Sequence, residues 1–127
     1  YYTLVPHEDD ARQVAFLDAI SRAGLEVVSK RLPPKGVKRQ VSMDVHIAAD
    51  LISYCFGHYE NQDSAKADVK RTACVVCPSR EISYAIYSAH EAGVETSLAD
   101  FGLYGHSDGW LGVDRWVDLS TSETIWR

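Results

Sequence analysis

No apolar run in this chain approaches the ~20 residues needed to cross a bilayer. The opening YYTLVPHEDD has neither the basic n-region nor the apolar h-region of a secretory signal. A membrane partner is therefore not expected. Cysteine is scarce, and Cys55, Cys74 and Cys77 are too few and too unevenly placed for a secreted disulfide framework. That points to a reducing compartment, the cytoplasm. Basic charge is also short: 13 Lys plus Arg face 18 Asp plus Glu, and a net charge of −5 argues against coating nucleic acid by bulk charge. Several signatures are missing as well: GxxxxGK followed by Ser or Thr, GxGxxG and HExxH. Their absence removes P-loop, dinucleotide-binding and zincin chemistry. There is no internal repeat, low-complexity tract or linker, so the 127 residues are expected to form one domain, 1–127.

What is present is ordinary globular material, 46% apolar and 24% charged, in an alternating order. Residues 1–5 are aromatic and β-branched, and Glu8, Asp9 and Asp10 supply helix-start chemistry. From Ala11 the apolar positions recur at three and four until Gly24 stops them, and a strand is expected over 25–32. Pro33, Pro34 and Gly36 make a loop. Ser42 is placed to cap a second helix over 43–56, and a polar, turn-rich stretch over 57–68 reads as a long loop. The unbroken run 72–77 looks like a central parallel strand covered on both faces. A helix over about 79–92 closed by Gly93, a strand over 94–99, a glycine-rich stretch over 101–112, a short helical turn and a last strand near 116–119 complete the order. Strands alternating with helices of this length predict an α/β fold, a three-layer α/β/α sandwich around a mainly parallel, Rossmann-like sheet.

Ligands of such sheets sit outside the carboxyl ends of the strands. After 72–77 come Ser79, Arg80 and Glu81, where Ser79 and Glu81 also suit the cap and first turn of a helix. Asp44 and Asp50 share the second helix, six residues and therefore about 120° of rotation apart. Lys30, Arg31, Lys35, Lys38 and Arg39 gather five of the 13 basic residues on and beside the 33–36 loop. Cys55 and His58 with Cys74 and Cys77 have the pair spacings of a zinc site, but alternation along a strand points Cys74 and Cys77 to opposite faces, which favours buried thiols. Tyr1, Tyr2, Tyr54, Phe56 and Tyr59 could stack bases where exposed, and His106, Ser107 and Asp108 sit in the glycine-rich stretch.

Taken in order, these segments resemble the NYN family of PIN-like nucleases, of the bacterial domain-of-unknown-function-88 type. QVAFLDAISRAGLEVV resembles a family helix with a Phe-Leu pair followed by Gly and a strand. MDVHIAADLI is similar to V-D-V-x-L-A-x-D-x-L, which puts Asp44 and Asp50 on its two acids. ACVV with CPSREISYAI and HEAGVETSLAD resembles the strand, the S-G-D-S-D-F turn, the helix, the E-x-G and the next strand. LGVDRWVDL is similar to the closing L-x-x-x-A-D-x-F-x-x-L, with Asp114 and Trp116 in its Asp and aromatic places.

The resemblance implies a domain that acts on RNA through acids holding Mg2+ or Mn2+, hard cations that take oxygen ligands and activate water. On this reading Asp44 and Glu81 are catalytic and Asp44, Asp50 and Glu81 bind the metal, with Asp114 a further acid. Lys35, Lys38, Arg39, Ser79 and Arg80 would contact nucleic acid. Two departures stand out. The family's first strand with its metal-binding Asp has no counterpart, as in an N-terminally incomplete or divergent member, and Ser79 and Glu81 replace the two Asp of the turn. The function expected is thus a metal-dependent ribonuclease with a weakened or lost site. The alternative is a non-catalytic pseudonuclease, an interaction module for RNA or for protein, pairing as a homodimer or with a partner chain at its sheet edge.

Overall fold

Short strands paired in parallel, with a helix between the first and second and another between the third and fourth, build both parts of the chain. The computed structural model describes residues 1–57, 70–77, 79–101 and 110–121. It divides into two compact units, Tyr1–Val45 and His46–Arg127. His58, Tyr59, His106, Ser107, Asp108 and all of the expected 57–68 loop except Gly57 lie outside the described residues.

In the first unit β1 (Tyr2–Val5) leads through α1 (Ala11–Arg22) to β2 (Val28–Arg31). β1 and β2 pair in parallel, with Tyr2 opposite Val28 and Val5 opposite Arg31. Parallel neighbours need a crossover, which α1 supplies. The helix starts where the acidic cluster predicted it: the Asp10 carboxylate accepts the Arg12 and Gln13 backbone N–H groups at 2.8 and 3.4 Å. β2 is shorter than the expected 25–32. Its first residues are used to close α1, since the Leu25 N–H donates to the Ile20 carbonyl at 3.3 Å, a helix-ending bond.

The second unit takes in α2 (Asp44–Cys55) from His46 onward, then β3 (Thr72–Val76), a 3-10 turn (Arg80–Ile82), α3 (Ser83–Glu91), β4 (Glu95–Asp100), β5 (Arg115–Asp118) and a closing 3-10 turn (Leu119–Thr121). The Ser42 hydroxyl accepts the Asp44 N–H at 3.0 Å, as expected of a residue that starts α2. The strands lie in the order β3-β4-β5, all parallel.

Two expectations are corrected here. The run 72–77 is not the central strand: among the described residues β3 is an edge of its sheet, with Thr72, Cys74 and Val76 exposed between half-buried Ala73 and Val75. The central strand is β4, where Thr96, Leu98, Ala99 and Asp100 are buried. An apolar run shows that a segment favours extended structure, but which neighbours it pairs with is a property of the sheet. The helix expected over 79–92 opens instead as a 3-10 turn, its first bond running from the Ser83 N–H to the Arg80 carbonyl.

The core of the second unit joins Leu51 of α2, Ile82, Ala85, Ile86 and Ala89 of the α3 segment, and Val94 and Leu98 of the sheet. The register puts Ala73, Val75, Thr96, Leu98 and Trp116 on one face of the sheet, which is the side that packs on these helices. The fold is mixed α/β with parallel sheets, and among the described residues no helix is long and apolar enough to cross a membrane.

Candidate functional site

The carboxyl ends of β3, β4 and β5 are where an open parallel sheet places ligands. After β3 comes the turn of Ser79, Arg80 and Glu81. The Ser79 hydroxyl accepts the Glu81 N–H at 3.3 Å, so Ser79 fills the capping role open to it, while Arg80 and Glu81 stand exposed. β4 ends on Asp100 and β5 on Asp118, and the register makes these two residues Cα partners. Asp100 is only 3% exposed, and its carboxylate accepts the Trp116 indole N–H at 2.6 Å. Asp118 accepts the Ser120 backbone N–H at 3.0 Å and also its hydroxyl, which ties off the last strand. Neither acid was singled out from the sequence. Their only signal was that each closes a segment expected to be extended, Asp100 after Thr96 to Ala99 and Asp118 after Trp116 and Val117.

Asp114 lies at the other end of the sheet. It precedes β5, so it sits at the amino end, away from Glu81 and Asp100. There its carboxylate accepts the Thr96 N–H at 2.9 Å and faces His90 Nδ1 at 3.3 Å, while the Asp114 N–H donates back to the Thr96 carbonyl at 3.1 Å. The Thr96 N–H, helped by His90, holds the Asp114 carboxyl below the ordinary carboxylate range. The Thr96 hydroxyl donates to the Gly112 carbonyl. Asp114 thus pins the 110–113 turn to β4 and to the end of α3. Beside it Lys70 and Glu95 pair at 2.6 Å, which raises the Lys70 pKa.

Asp44 opens α2 in the first unit, and Asp50 follows on the same helix in the second; both are half-buried and engaged with neighbours. Carboxylates are the hard donors that Mg2+ or Mn2+ would take. Yet Asp44 and Asp50, about 120° apart around the helix, do not converge by themselves. Among the described residues no three His, Cys, Asp or Glu side chains stand together so as to hold a metal ion.

The thiols are dispersed. Cys55 donates to the Leu51 carbonyl at 3.2 Å and burial pushes its pKa up; Cys77 is buried, but Cys74 is exposed and not the buried thiol expected, because alternation along edge strand β3 turns it outward.

The basic cluster divides into two sets. Lys30 reaches the Ser42 carbonyl at 3.4 Å, and Arg31 holds the carbonyls of Pro6 and His7 at 3.1 and 3.0 Å and the Asp9 carboxylate at 3.0 Å. These two cations bind the first unit together. Lys35, Lys38 and Arg39 are exposed and form no ion pair among the described residues.

A further feature lay outside the sequence reading. Arg80, Ser83, Tyr84 and Tyr87 recur at helical spacing and, with Trp110 and Leu111 of the turn before β5, line an open groove of about 420 Å³. Comparison with family models, with curated proteins and with solved structures returned no match.

Proposed function

We propose that this chain is an RNA-directed α/β domain of the NYN, PIN-like kind in which metal-dependent ribonuclease chemistry is weakened or lost. The observation that carries the reading is the division of the basic cluster. Two cations are consumed in holding β1, β2 and the acidic turn together, and three, Lys35, Lys38 and Arg39, are left exposed on one loop. On a chain with a net charge of −5, three such cations are a local device for phosphates, because exposed point charges supply sequence-independent affinity by releasing counterions. The parallel β-α-β order supports the same reading, as do the positions of Ser79, Arg80 and Glu81 after a strand.

The test is binding of single-stranded RNA at several salt concentrations. Changing Lys35, Lys38 and Arg39 together to Glu should weaken binding across sequences and lower the slope of log K against log salt by roughly 0.7 per lost contact, about 2 in all. Unchanged affinity and slope would remove the loop from the site.

A second reading, a module for protein partners, is favoured by α1. That helix has no fully buried residue, and Val14 and Phe16 are each 54% exposed, with the Phe16 and Tyr1 rings meeting edge to face at 6.4 Å. A second copy of the chain is the simplest partner, and sedimentation of wild type against Phe16→Ser separates a dimer through this face from a monomer.

A further inference from the structure

The face of α3 turned away from the core carries aromatic residues where a surface helix ordinarily carries charge. Ile82, Ala85, Ile86 and Ala89 face inward, whereas Tyr84 is 78% exposed and Tyr87 stands one helical turn beyond it. Trp110 and Leu111 rise beside them because the turn that carries them is pressed onto α3. A Cβ on Gly112 would lie 2.6 Å from the Tyr87 Cα, an approach only glycine permits, and the Thr96 hydroxyl holds the Gly112 carbonyl from the opposite side. The resulting concavity is mostly apolar and of ligand size. At one end stands Arg80, exposed and without an ion pair among the described residues.

We infer that this groove binds single-stranded RNA, with bases stacked on Tyr84 and Tyr87 against the Trp110 wall and a phosphate on Arg80; the inference rests on the RNA-directed reading above and gives it a second contact surface. Flat π faces at one-turn spacing suit successive unpaired bases, and stacking is indifferent to which base is present. A single cation at the mouth adds one phosphate contact without making the groove a general polyanion trap. A duplex, whose bases already stack on one another, gains nothing from such a platform. A proline-rich peptide could also lie on Tyr and Trp rings, but it lacks the phosphate that a guanidinium with no ion pair among the described residues suits best.

The test measures binding of fluorescein-labelled oligouridine and of an RNA duplex of equal length, over a salt series, to the full chain. Tyr84→Ala should weaken oligouridine binding by roughly 5- to 100-fold, with the salt slope unchanged and duplex binding unaffected. Tyr84→Trp should retain binding. Arg80→Gln should lower the slope by about 0.7, one contact. Because Tyr84 projects into solvent, Tyr84→Ala should keep the wild-type circular dichroism and melting temperature. If Tyr84→Ala and Arg80→Gln bind oligouridine as wild type does while the Lys35, Lys38, Arg39 variant loses it, the groove is overturned and the RNA-directed reading stands. If the wild type binds neither RNA, both fall. Binding of a proline-rich peptide that is lost in Tyr84→Ala, with RNA binding intact, also overturns the proposal.

Discussion

Gly112 joins the 110–113 turn to α3, and its replacement by alanine separates two physical costs. The first is conformational: at φ +80° an L-residue sits in the left-handed region, which costs about 1–2 kcal/mol. The second is steric, because the new methyl would lie 2.6 Å from the Tyr87 Cα and 3.3 Å from the Tyr87 and His90 Cβ atoms. Backbone cannot rotate away, so turn and helix must part, an overpacking cost of about 1–3 kcal/mol. Gly112→Ala should therefore destabilise by about 2–5 kcal/mol. Gly93 is the internal control. It closes α3 at φ +92°, with the Val94 N–H on the Ala89 carbonyl at 3.0 Å, but a Cβ there would meet nothing within 4 Å. Gly93→Ala should cost only the conformational share, about 1–2 kcal/mol. Urea unfolding of both variants, followed by far-ultraviolet circular dichroism, measures the difference, provided the m-values agree. Equal losses for the two variants would refute the close approach, and with it the account of how Trp110 is held beside Tyr87.

Further outcomes follow from the same contacts. Asp114, its carboxyl held low chiefly by the Thr96 N–H and then by His90, contributes stability that is complete above the ordinary carboxylate pKa and is lost as pH falls through the lowered value. Urea midpoints measured from about pH 6 down to about pH 2 should fall less steeply in Asp114→Asn than in wild type. Leu98, fully buried in the central strand, should cost about 2–5 kcal/mol on change to Ala, whereas Val76, 67% exposed on edge strand β3, should stay within about 0.5 kcal/mol; a reversed order would refute the strand assignment. If the chain cleaves labelled RNA with Mg2+ or Mn2+, Asp44→Asn should abolish cleavage and cost the fold only about 0.3–1 kcal/mol, the worth of a first-turn acid. Cleavage unaffected by that change would move the site elsewhere.

Local order was legible in the residues themselves because its causes are local. Asp10, Ser42 and Ser79 each bond a backbone N–H two positions on, so short-range chemistry was enough to find where α1, α2 and the α3 segment begin. The three-and-four spacing of apolar residues and the β-branched runs located α1, α2, α3 and the five described strands to within a few residues, and their alternation predicted parallel pairing, but the short helical turn expected before the last strand is found after it, at Leu119–Thr121. Which strand is central, and which acids share an end of the sheet, were settled only by pairing between segments distant in the chain. The run 72–77 is more uniformly apolar than Glu95–Asp100, yet among the described residues β4 is the strand with two neighbours, and its burial follows from that. Asp114 matched an acidic motif position but stands at the amino end of β5, where it braces Thr96 and His90, while Asp100 and Asp118 occupy the carboxyl end. The groove depends on the same long-range order. Tyr84 and Tyr87 are neighbours by helix geometry, but Trp110 reaches them only because a glycine and a threonine hydroxyl let a later turn press against α3. Spacing along a chain carries the period of a helix or a strand; it carries no information about which turn will close against it.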